Sequence, residues 1–181
     1  TIGKSIFGGG NASETGTLTQ TTDADGNLVE KGNALTIVDI AGAVVGENVY
    51  GGANSSVING STVTNIGVNA IDEYYGEEKG FEIGKTEING TVFGGGENMD
   101  LTSADFNYDA ISVTETILIN IDGKGYETSA TDPNTINIYK SIFGSGNASS
   151  ARQNGDINIR NYGTIDKPKR GVSVQRATNV L

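Results

Sequence analysis

The sequence predicts an all-β fold, a right-handed parallel β-helix with hairpin or loop insertions and no long helices. Three observations predict it. A glycine-rich motif recurs four times. Runs of alternating apolar and polar residues lie between the copies. Helix formers are scarce, and with 27 glycines in 181 residues almost every window is interrupted.

The motif reads Ile6-Phe7-Gly8-Gly9-Gly10-Asn11, then Val49-Tyr50-Gly51-Gly52-Ala53-Asn54, then Val92-Phe93-Gly94-Gly95-Gly96-Glu97-Asn98, then Ile142-Phe143-Gly144-Ser145-Gly146-Asn147. Its aromatic positions are separated by 43, 43 and 50 residues, a near-constant period that marks a repeat architecture. Within each copy a β-branched residue and an aromatic make a short strand. The glycines fit a place where the backbone turns tightly or another backbone comes close. The asparagine tolerates the left-handed conformation and can hydrogen-bond locally. Copies in equivalent places on successive turns would stack about 4.8 Å apart. Phe7, Tyr50, Phe93 and Phe143 would then form an aromatic ladder, and Asn11, Asn54, Asn98 and Asn147 an amide ladder. Parallel crossovers are almost always right-handed, hence the expected hand.

The strand-like runs are Leu35 to Ile40, Thr62 to Ile66, Ile117 to Ile121 and Ile157 to Arg160. A period of 43 exceeds the roughly 20 to 25 residues of a bare turn. Insertions near 17–31, 71–83 and 121–133 account for the excess, with tips such as Asp23-Ala24-Asp25-Gly26-Asn27 that favour hairpins. The whole of 1–181 reads as one segment. The chain starts in mid-pattern at Thr1, and Arg176 to Leu181 looks like the start of another strand. Both features predict a piece of a longer array, since arrays carry polar caps. Open ends would also permit end-to-end stacking with neighbouring repeats.

Composition removes several functions. Acidic residues number 22 against 12 basic, a net charge of −10, which disfavours nucleic acid. No apolar run reaches membrane-spanning length. The absence of cysteine removes disulfides and thiolate metal sites, and the absence of histidine removes the commonest general base and zinc ligand. No cofactor or metal is expected. Asp23 and Asp25 precede a glycine as in a calcium loop, but the twelfth position is Ala34, which cannot ligate. Carboxylate pairs for glycoside chemistry exist on loops: Asp23 with Asp25, Asp72 with Glu73, and Asp100, Asp105 and Asp109. Acidic residues on loop tips ordinarily serve turns and solvation, so no catalytic residue is assigned. Thr17-Leu18-Thr19 and Thr62-Val63-Thr64 would suit a flat ice-binding face, but the pattern does not recur on later turns. The binding candidates are the inserted aromatics Tyr74, Tyr75, Phe106 and Tyr108, whose rings either anchor the insertions against the β-helix or serve carbohydrate or protein contacts.

The strings "VYGGAN", "VFGGGEN" and "IFGGGN", with "INGSTVTNI" and "INGTVFGGG" between them, resemble the repeat regions of large bacterial cell-surface adhesin-like proteins, especially of gut Gram-positive species. They look broadly like autotransporter passenger regions as well. The resemblance implies a parallel β-helix at the cell surface or outside the cell, with a structural or adhesive role. It implies glycans or surface proteins, host or microbial, as partners. It carries no catalytic residues. The expectation is therefore a non-enzymatic stalk or platform that displays binding loops, with a carbohydrate-active domain, a polysaccharide lyase or glycosidase, as the alternative.

Overall fold

The computed structural model describes residues 1–67, 85–97, 111–122, 134–147, 150–151, 155–160 and 171–174. These residues are strand-rich, and no helix occurs among them. The strands, in chain order, are β1 (Ile6–Phe7), β2 (Leu18–Thr22), β3 (Leu28–Gly32), β4 (Ala34–Ile40), β5 (Val44–Val45), β6 (Val49–Tyr50), β7 (Gly60–Gly67) and β8 (Thr86–Ile88). They continue with β9 (Val92–Phe93), β10 (Ile111–Val113), β11 (Ile117–Asp122), β12 (Asn134–Ile138), β13 (Ile142–Phe143), β14 (Ser150–Ala151), β15 (Asp156–Arg160) and β16 (Gly171–Val174).

Three four-stranded sheets organise them, in the orders β1-β6-β9-β13, β15-β11-β7-β4 and β16-β12-β8-β5. A short sheet joins β10 to β14. Every pairing in these sheets is parallel, so each neighbour in a sheet comes from a different pass of the chain. From β4 onward the chain visits the three large sheets in the same order on each pass. The motif strands register rung on rung, Phe7 beside Tyr50, Tyr50 beside Phe93 and Phe93 beside Phe143. The runs that carry period-two alternation occupy one sheet. In β4 the inward Thr36, Val38 and Ile40 are buried while Leu35 and Ile37 are exposed.

Most inward-facing residues share one core, and Ala53, Ile58, Val113 and Ile117 form a second, smaller cluster. Ile40, Ile66 and Ile121 form one ladder through the β15-β11-β7-β4 sheet, and Val45, Ile88 and Ile138 another through the β16-β12-β8-β5 sheet. Val49, Val92 and Ile142 form a third, and all nine residues pack in a single cluster. Full burial of each such side chain contributes roughly 1.5–3 kcal/mol. β-Branched residues dominate because parallel strands buried on one face favour them.

The glycines after each aromatic are set by close approach. A Cβ on Gly8 would strike the carbonyl oxygen of Gly51, and one on Gly51 would strike that of Gly94. Buried threonines bind the same carbonyls: Thr36 Oγ1 donates to Gly51 O at 2.8 Å and Thr62 Oγ1 to Gly94 O at 2.7 Å. Among the described residues the left-handed positions at the corner are Ala12 (φ 52°) and Ser55 (φ 54°), one position after Asn11 and Asn54. Asn11 and Asn54 do not use the left-handed conformation they tolerate, and their amides bond each other across the two passes.

The expected insertion at 17–31 is an antiparallel hairpin of β2 and β3, and it extends to Gly32. Of the expected insertion near 121–133, Ile121 and Asp122 belong to β11. The rest of it, and the insertion at 71–83, lie outside the described residues.

Candidate functional site

Among the described residues, polar side chains gather in defined geometry at the corner that follows each aromatic, on the outer face of the β15-β11-β7-β4 sheet, and at the base of the β2–β3 hairpin.

At the corner four rings stack. Phe7 and Tyr50 have centroids 4.5 Å apart with planes 1° from parallel. Tyr50 and Phe93 follow at 4.9 Å and 6°, then Phe93 and Phe143 at 5.4 Å and 12°. The spacing is that of adjacent strands, so the backbone ladder imposes it. Each ring pair adds roughly 0.5–1.5 kcal/mol beyond burial. Tyr50 is the one hydroxylated rung and is fully buried. Its hydroxyl donates to Glu97 Oε1 at 3.0 Å and accepts from Asn48 Nδ2 at 3.0 Å. Burial first, and then the Glu97 carboxylate, push the phenol pKa above its ordinary value of 10.0.

The amide ladder differs from its expected membership. Bridges connect Asn11 to Asn54, Asn54 to Glu97 and Glu97 to Asn147. The third rung is thus Glu97, where the sequence suggested Asn98, and Asn98 lies outside the described residues. The extra residue in the third motif copy made the asparagine look like the equivalent position. Counting from the aromatic identifies Glu97, because the backbone register runs from there. Asn54 Nδ2 donates to Asn11 Oδ1 at 2.8 Å, and Asn147 Nδ2 donates to Glu97 Oε1 at 3.3 Å.

A second amide ladder went unnoticed in the sequence. On the outer face of the β15-β11-β7-β4 sheet, Asn65 Nδ2 donates to Asp39 Oδ1 at 2.8 Å. Asn120 Nδ2 donates to Asn65 Oδ1 at 2.9 Å, and Asn158 Nδ2 to Asn120 Oδ1 at 3.2 Å. The signal was an Asn or Asp placed before isoleucine in all four runs: Asp39-Ile40, Asn65-Ile66, Asn120-Ile121 and Asn158-Ile159.

The hairpin is fastened at its base. Thr17 N donates to Asn33 Oδ1 at 2.9 Å, and Asn33 Nδ2 returns a bond to Thr17 Oγ1 at 3.0 Å. Gly32 N donates to Glu115 Oε1 at 2.9 Å, which ties the hairpin to a residue 83 positions away. Gly16 (φ 80°) and Gly60 (φ 156°) hold conformations in which a side chain would be strained. Beside this base lies an open cleft of about 470 Å³, lined by Glu14, Gly16, Thr17, Leu18, Val57, Asn59 and Thr114. Asn59 is 5% exposed, and its Nδ2 donates to Glu14 Oε2 and Gly16 O, both at 3.3 Å. Sequence reasoning did not find this cleft, because its walls come from three separate stretches of chain.

The acidic candidates divide. At the hairpin tip Asp23 Oδ1 accepts from Asp25 N at 3.0 Å and from Asn27 N at 2.8 Å, while Oδ2 accepts from Asn27 Nδ2 at 3.2 Å. The bonds from Asn27 hold its carboxyl below the ordinary value of 3.8. Asp23 is therefore a turn residue with both oxygens occupied. Asp72, Glu73, Asp100, Asp105 and Asp109 lie outside the described residues, as do the aromatic candidates Tyr74, Tyr75, Phe106 and Tyr108. Among the described residues no group of three or more acidic side chains is placed to hold a metal ion. Thr62 and Thr64 face inward and are buried, so they cannot present a flat surface to ice.

No protein-family model, curated protein or solved structure matches the chain.

Proposed function

We propose that the chain is a right-handed parallel β-helix segment and that it serves as a stiff stalk or platform in a secreted or surface-attached bacterial protein. Its inserted hairpins and loops provide adhesion to glycans or surface proteins, and it catalyses no reaction. One observation carries the reading. Side chains of the same kind stack rung on rung across successive passes, in the aromatic ladder and in both polar ladders. Such stacking fixes the position of every pass against the next, which suits a scaffold that holds loops at set spacings. The fastening of the β2–β3 hairpin to Asn33 and Glu115 supports the same role, since a displayed element gains affinity from being held in place.

The test is a panel of polysaccharides, glycans and immobilised cell surfaces, read both for retention and for released product. Retention without product is the expected outcome. Released product would overturn the reading in favour of a carbohydrate-active enzyme. Neither retention nor product would remove the adhesive half of the proposal.

A further inference from the structure

We infer that the cleft at the base of the β2–β3 hairpin is a binding site for a neutral pyranose residue of a glycan. The inference deepens the adhesive reading above by naming a site and a ligand class for it.

The size fits. A cleft of about 470 Å³ lies within the roughly 300–1,000 Å³ of small-ligand sites. The lining fits as well. Glu14 offers a carboxylate acceptor, Asn59 an amide and Thr17 a hydroxyl, and Leu18 and Val57 offer an apolar wall for the C–H face of a sugar ring. Thr114 supplies the independent observation. It lines the cleft, is 3% exposed, and its hydroxyl has no hydrogen-bond partner. A buried hydroxyl left unpaired is costly, and although its oxygen presents almost no surface as it stands, a turn about χ1 that brings it to a ligand hydroxyl recovers that cost. The other polar groups are already held. Asn59 is fixed by Glu14 and Gly16, and Thr17 by Asn33. Little ordering remains for a ligand to impose.

Charge selects the class. The one acidic side chain in the lining is Glu14, and the whole chain carries −10, so uronates and sulfated sugars meet like charge. One carboxylate in the lining is poorly equipped for a divalent cation, which takes six to eight oxygen ligands. A hydroxyl-rich neutral ring uses every group present.

The experiment is an amide-resolved NMR titration of the full chain with the methyl glycosides of glucose, galactose, mannose and N-acetylglucosamine. Glucuronate serves as the anionic control and methylammonium as the cationic one. Saturable shifts at Gly16, Thr17, Asn59 and Thr114 with at least one neutral sugar are expected. Glu14→Gln and Thr114→Val should each weaken that binding by about tenfold, as loss of one buried or charge-assisted hydrogen bond implies. Glu14 is exposed, so its variant keeps the test open even if Thr114→Val perturbs packing. Absence of shifts at these amides, equal binding of glucuronate or methylammonium, or parent-like binding by both variants would overturn the site. Glycan retention by the chain without any change at the cleft would remove the site and leave the adhesive reading standing.

Discussion

Gly51→Ala is the sharpest probe of the corner. The added methyl would lie against Gly94 O and within 2.7 Å of Thr64 Oγ1. Gly94 O is a backbone atom and cannot rotate away, so one pass must shift against the next. Overpacking of this kind costs roughly 1–3 kcal/mol. The same carbonyl accepts the Thr62 hydroxyl at 2.7 Å, and losing that bond costs about 1 kcal/mol more. Restricting the unfolded chain returns about 0.4–1 kcal/mol. The net expectation is a loss of about 2–3 kcal/mol, or about 1 M in urea midpoint for a typical slope. Gly3→Ala is the control, since a Cβ there meets nothing within 4 Å and its backbone is unstrained. It should stay within about 0.5 kcal/mol of the parent. Equilibrium urea unfolding of both variants decides the matter. Equal midpoints for Gly51→Ala and Gly3→Ala would refute close approach as the reason for the repeated glycines.

Other substitutions test neighbouring parts of the argument. Thr64 is fully buried between Val38 and Ile119, with a hydroxyl that has no partner, so Thr64→Val should be neutral or stabilise by about 1 kcal/mol in the same urea assay. Tyr50→Phe removes a hydroxyl bonded to both Asn48 and Glu97 and should cost about 1–2 kcal/mol. The raised pKa of Tyr50 favours the neutral phenol in the fold, so its contribution is complete below pH 10.0 and lost as pH rises beyond it. Alkaline unfolding followed by tyrosinate absorbance should therefore begin at higher pH for Tyr50→Phe, relative to its own neutral stability. At the hairpin tip the lowered pKa of Asp23 has the opposite sign. Its support for the turn is complete above the ordinary 3.8 and lost as pH falls through the lowered value. Protection of the Asp25 and Asn27 amides, taken relative to their intrinsic exchange rates, should fall on acidification in the parent, and should already be absent at neutral pH in Asp23→Ala.

The two kinds of ladder show what a sequence can display. The aromatic ladder was legible because its rungs fall 43, 43 and 50 residues apart and share a glycine signature. The outer amide ladder joins residues 26, 55 and 38 apart, so no fixed period reveals it. The unequal intervals mean that successive passes differ in length. The alternating runs gave the strands and their inward faces, since period two assigns sides directly. The choice of Glu97 over Asn98 was legible only by counting four residues on from each aromatic, and the asparagine in the motif drew attention away from that count. The cleft was hidden for a simpler reason. Glu14, Asn59 and Thr114 are 45 and 55 positions apart, and their meeting depends on register that local pattern does not encode. The same holds for the hydroxyls of Thr36 and Thr62 that bind glycine carbonyls, which looked like ordinary strand threonines.

The long intervals between hydrogen-bonded partners have a kinetic consequence. Asn11 and Asn54 are 43 residues apart, Asn48 and Thr91 the same, and Asn65 and Asn120 are 55 apart. Every inter-pass contact therefore waits on closure of a long loop, and chains of that kind fold slowly, on the order of milliseconds to seconds. The first pairing of two passes bears most of that delay. Each later pass meets an edge that is already rigid, so growth from it is faster than initiation. Until the last pass docks, the growing edge is a row of unpaired amides and carbonyls that any extended chain could join. A polypeptide that appears gradually, one pass at a time, would lay each turn onto the one before it and keep that edge occupied by its own sequence.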